Sequence, residues 1–114
     1  MDKQTIINQV KEFNQECKNQ GFGLSFCALV PDMPAYEQTS YTLQVFASWI
    51  EGMAWSDIFD ILVPILFETT TIEVREKLYR IDIYDKNGNI HCWFPDLIIE
   101  NQINYNPQMV HLMQ

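Results

Sequence analysis

Residues 78–94 read LYRIDIYDKNGNIHCWF, and this stretch decides the fold. Isoleucines alternate with polar and aromatic residues on either side of Asn87-Gly88, a dipeptide that favours tight reversal of two strands. A two-residue loop at Asn87-Gly88 sets a register in which Asp85 faces Ile90, Tyr84 faces His91, Ile83 faces Cys92, Asp82 faces Trp93 and Ile81 faces Phe94. Cross-strand partners share a face, so the hairpin separates into two sets. Ile81, Ile83, Ile90, Cys92 and Phe94 form an apolar set for the core. Arg80, Asp82, Tyr84, His91 and Trp93 form a set that combines a cation, a carboxylate, an imidazole and aromatic rings. The second set is the candidate binding surface, suited to a ligand, to a protein partner or to an acid and base pair. Solvated cross-strand pairs of an ordinary sheet face account for the same composition.

Working outward, Tyr41 to Trp49 alternates with Leu43, Val45 and Ala47 on one side and predicts a strand broken at Gly52, while Leu24 to Val30 predicts another that ends at Pro31. Ile6, Val10, Phe13 and Cys17 recur at steps of three and four, which predicts a helix over 3–19 stopped by Gly21. Ser56 is placed to cap a helix over 56–68 in which Asp57, Asp60, Pro64 and Glu68 make one narrow polar stripe on an otherwise apolar cylinder. Pro64 is expected to bend that helix. Thr70 or Thr71 caps a short turn through Glu76. Residues 96–103 read as either strand or helix, and Asn106-Pro107 can open a short final helix. The order α-β-β-α-β-β, with a possible C-terminal helix, predicts an α+β domain: a small antiparallel or mixed sheet of about four strands, with helices packed on one face. No repeat, low-complexity tract or Gly/Ser linker interrupts the 114 residues, so residues 1–114 are read as a single compact domain.

The chain carries a net charge of −8, and between Lys18 and Arg75 it has no lysine or arginine, against Asp32, Glu37, Glu51, Asp57, Asp60, Glu68 and Glu73. Too few cations are present to displace counterions from a phosphate backbone, so direct nucleic-acid binding is not expected. The longest apolar run, residues 61–67, contains a proline and is far short of the about 20 residues of a membrane span. The N-terminus lacks the apolar block of a secretory signal, and a cytoplasmic location is expected. Cys17, Cys27 and Cys92 are odd in number and widely spaced, which signals neither a disulfide framework nor a zinc site. His91 and Cys92 point to opposite faces of one strand and do not readily share a metal. No metal and no cofactor are expected.

Asp57 and Asp60 share a helix face, as paired carboxylates for acid-base work do, but the helix dipole alone favours both in a first turn. Together with Glu68 they are the candidate acidic stripe. Phosphate-loop, dinucleotide and G-x-S-x-G fingerprints are absent: the glycines at 21 and 23 precede a strand, not a helix. The function expected from these features is a small acidic accessory protein that acts by binding another protein, with a basic one favoured by the charge, without catalysis. The alternatives are a small-molecule binding domain or minor enzyme using the Tyr84, His91, Asp82 and Trp93 face beneath a covering loop at 31–38, and a homodimer through that aromatic face. In size and charge the chain is similar to toxin-neutralising immunity proteins, to protein mimics of nucleic acid and to the small products of mobile gene cassettes. No motif carries that likeness, and it identifies no family.

Overall fold

The computed structural model describes residues 2–31 and 40–95. Helix α1 (Lys3–Asn19) leads to strand β1 (Phe26–Pro31) and strand β2 (Tyr41–Phe46); a 3-10 turn at Ser48–Ile50 precedes helix α2 (Trp55–Thr69), the short helix α3 (Ile72–Arg75), and strands β3 (Leu78–Tyr84) and β4 (Ile90–Pro95). The sheet order is β1-β2-β3-β4, antiparallel at both outer pairs and parallel at the central pair. The fold is therefore α+β with a mixed four-stranded sheet. Parallel pairing of β2 with β3 uses the helix between them, because strands running in the same direction need a long crossover and α2 supplies it. The expected C-terminal helix, the ambiguous 96–103 segment and the loop at 31–38, beyond Pro31 itself, lie outside the described residues.

Each helix begins and ends for a local reason. The Asp2 carboxylate accepts from the Thr5 N–H at 2.8 Å and caps α1, and Gly21, at φ +86°, turns the chain so that the Phe22 N–H reaches the Cys17 carbonyl at 2.8 Å. Ile6, Val10, Phe13 and Cys17 are its buried stripe. Helix α2 starts at Trp55 after Ala54, which offers no capping side chain, so the expected cap at Ser56 is a residue inside the helix. The helix continues through Pro64, which sits on its exposed side in line with Asp57, Asp60 and Glu68. There water can satisfy the carbonyl that Pro64 leaves without a donor. Thr71 caps α3.

The register assigns the faces of the sheet. Cys27 and Leu29, Leu43 and Val45, Ile81 and Ile83, and Cys92 lie side by side toward the helices, and the core joins them to Ile58, Leu62, Val63 and Leu66 of α2 and to the stripe of α1. Leu43, Val45, Ile81 and Ile83 are fully buried, each contributing about 1.5–3 kcal/mol of transfer free energy. The opposite face carries Phe26, Ala28, Val30, Thr42, Gln44, Phe46, Arg80, Asp82, Tyr84, Ile90 and Trp93. Both strands at the start of the sheet are shorter than their alternation suggests: β1 begins at Phe26, two residues later than expected, and β2 ends at Phe46, where the 3-10 turn takes over.

Candidate functional site

The hairpin differs from its expected register at the turn and agrees with it beyond. Asp85 and Asn89 close a three-residue loop: the Asp85 N–H donates to the Asn89 carbonyl at 2.8 Å, and the Gly88 N–H to the Asp85 carbonyl at 3.1 Å. The Asp85 carboxylate also accepts from the Asn87 and Asn89 N–H groups, and Gly88 takes φ +80°. This three-residue turn with a left-handed glycine replaces the two-residue loop. Tyr84 consequently faces Ile90, not His91, and Asp85 does not face Ile90. A bulge between Ile83 and Tyr84 absorbs one residue, His91, and restores the pairs Ile83–Cys92, Asp82–Trp93 and Ile81–Phe94. Ile90 is thereby moved from the expected core set to the opposite face, where it is 47% exposed.

Of the candidate surface, three residues converge. The Arg80 Nε lies 2.8 Å from Asp82 Oδ1 as a close ion-pair contact, and its Nη2 donates to Oδ2 at 3.3 Å. The same guanidinium stands 5.6 Å from the centroid of the Trp93 ring. Arg80 and Trp93 thus share a face, as the pairing of Asp82 with Trp93 requires. Asp82 is buried, Arg80 is one-third exposed and Trp93 is half exposed, so the carboxylate anchors the cation from beneath while the indole lies outward. Tyr84 belongs to the same face but is engaged elsewhere: its hydroxyl accepts from the Gln44 amide at 3.1 Å. His91 does not join the set, for its Nε2 lies 3.1 Å from the Met53 carbonyl in the segment that leads into α2. Drawing His91 aside is the direct result of the bulge. Asp82 and His91, the acid and base of the catalytic alternative, are each committed to another group.

Two further residues belong to this face and were not singled out from the sequence. Gln44, beside Asp82 in the parallel pair, and Thr42, beside Arg80, fill its centre. Their signal was their alternation with Leu43 and Val45 in β2, which assigns them to the polar side once β2 is known to neighbour β3.

The acidic stripe is arranged as its spacing implies. Asp57, Asp60 and Glu68 are exposed on α2, and the Glu68 carboxylate accepts from the Gln20 amide at 3.2 Å. Both arginines are engaged within the fold. Arg75 is 5% exposed, donates to the Thr70 carbonyl and hydroxyl, and lies 4.0 Å from the centroid of Phe67. Burial holds its pKa below the usual arginine value. Arg80 is held by Asp82, and this is the one ion pair among the described residues.

The three thiols are unpaired. Burial pushes Cys17 up to about 12 and Cys27 and Cys92 up to about 11, so all three stay protonated at neutral pH. Among the described residues no group of three or more His, Cys, Asp or Glu gathers to hold a metal ion, and no helix is long and apolar enough to cross a membrane. No protein family, curated protein or solved structure matches the chain.

Proposed function

We propose that the protein acts by binding a basic protein partner, with the exposed stripe Asp57, Asp60 and Glu68 of α2 as the contact, and that it performs no chemistry of its own. The observation that carries this reading is the imbalance of engaged charge. Between residues 19 and 76 the chain has one cation, Arg75, and it is folded against Phe67, while the three carboxylates of α2 stay exposed with no ion pair among the described residues. A helix surface of one sign steers an oppositely charged partner and disfavours nucleic acid.

Capture from native lysate at low and at moderate salt, with wild type and with the Asp57→Asn, Asp60→Asn, Glu68→Gln triple variant, tests it. A basic protein held by wild type, released as salt rises and lost by the triple variant supports the reading, since exposed charge is screened beyond about 8 Å at physiological ionic strength. Equal retention by wild type and triple variant refutes it.

The alternative of a small-molecule site on the Arg80 and Trp93 face draws support from the half-exposed indole beside a guanidinium, an arrangement that can take a flat or anionic ligand. Asp82 and His91 are each engaged with another group, which favours binding over catalysis for this alternative.

A further inference from the structure

We infer that the outer edge of β1 is a self-association surface, on which β1 of a second copy pairs antiparallel about a two-fold axis at Ala28 to make one eight-stranded sheet. Strand β1 has β2 on one side and, among the described residues, no strand on the other. Every second residue of such a strand directs its backbone N–H and C=O outward, a template for another strand unless the chain protects it.

The two edges of this sheet are treated differently. At β4 the ladder is interrupted by the His91 bulge, and the Trp55 indole engages the carbonyl of Trp93 at 3.4 Å. At β1 the register with β2 is unbroken from Phe26 to Pro31, and the sole proline stands at the last position. No charged residue occurs from Gly21 to Pro31. Lysines, bulges and interior prolines, the usual means of blunting an edge, are all missing from it.

Charge selects the occupant. Two copies at −8 each repel, and contact is least opposed where neither presents a charge. The uncharged stretch of residues 21–31 supplies that contact. An antiparallel two-fold keeps the same face of both sheets on one side, so far-face residues must pair with far-face residues. Centring on Ala28 then sets Phe26 of each copy opposite Val30 of the other. Phe26 is 47% and Val30 38% exposed, and their pairing joins an aromatic to a β-branched side chain twice over a small central residue. A six-residue edge buries less than the about 1,600 Å² of a standard interface, so the expected dissociation constant is micromolar.

Sedimentation of the full chain over roughly 5–500 µM tests this. The mass is expected to rise from 13.4 kDa toward twice that value. Ala28→Lys and Ala28→Glu, each opposing its own copy, are expected to weaken association at least about tenfold, and their equimolar mixture to restore it. Hydrogen exchange of the wild type, with the outward-directed amides among residues 26–30, every second one, protected only at high concentration, reads the same contact without relying on a variant's folding. A wild type that stays monomeric throughout overturns the inference. So do dimers undiminished in both variants, a mixture no tighter than its components, and exchange of the outward-directed amides of residues 26–30 that does not depend on concentration. Added salt strengthens this contact by screening like charges and weakens one with a basic partner, so the two readings fail separately.

Discussion

Replacing Arg80 by Met and Asp82 by Asn, singly and together, measures how far the centre of the polar face is organised by charge. Met keeps most of the stem that lies near Trp93, and Asn keeps the shape of the carboxylate. The side chain of Arg80 is 34% exposed and that of Asp82 4%, so the pair lies between two regimes. Exposed pairs couple by about 0.2–1 kcal/mol, and removing one partner of a fully buried pair costs about 3–5 kcal/mol. A half-buried pair held by two contacts is therefore expected to couple by about 1–2 kcal/mol, with each single substitution costing about 2 kcal/mol. In urea, with a denaturant slope of about 1–2 kcal/mol per molar for a chain of this size, each single variant should lower the unfolding midpoint by about 1–2 M. The double variant should be lowered by clearly less than the sum. Half-molar salt should leave most of the coupling in place, because the carboxylate is out of reach of the ionic atmosphere. A coupling below about 0.3 kcal/mol, the usual error of additivity, refutes the claim that Asp82 anchors Arg80.

The thiols and the turn supply three further predictions. With Cys17 near 12 and its partners near 11, all three thiols should react with a disulfide reagent at pH 8 at least about a hundredfold more slowly in the folded chain than in urea. A raised thiol pKa means that the unfolded chain loses its proton first, so stability is full below about pH 9 and falls as pH rises toward 11–12; Cys17→Ala should flatten this slope in urea melts between pH 8 and 10.5. Gly88→Ala meets no atom within 4 Å but must adopt φ +80°, and should cost about 1–2 kcal/mol by thermal melt, with Gly88→Asn costing less. Equal cost for the two would show that backbone handedness is not what selects glycine there.

Local chemistry wrote much of this molecule into the sequence. The stripe of α1, the wet line of α2 with Pro64 on it, and the alternation of β2 and β3 each depend on neighbours within a few residues, and each is found where periodicity put it. The pairing of Asp82 with Trp93 was also legible, although for an incomplete reason: the turn is one residue longer than Asn87-Gly88 suggested, and the bulge at His91 removes that residue again. Two cancelling irregularities leave the distal register intact and displace only Tyr84, Ile90 and His91.

What the tertiary structure alone decided is which strands are neighbours and therefore which residues meet. Parallel pairing of β2 with β3 brings Gln44 to Asp82 and to the hydroxyl of Tyr84, residues separated by about forty positions that no local pattern connects. His91, set aside by the bulge, meets the Met53 carbonyl, which is placed by the entry to α2, remote in sequence. The fate of the charges was likewise a matter of packing: nothing in the sequence distinguishes Arg75, folded onto Phe67, from a solvated cation. Period and propensity are properties of a segment, whereas strand order and burial are properties of the whole chain. The sequence by itself therefore determined the elements and most of their apolar faces, and the packed molecule determined the constellation on the polar side of the sheet and which strands form the edges of the described sheet.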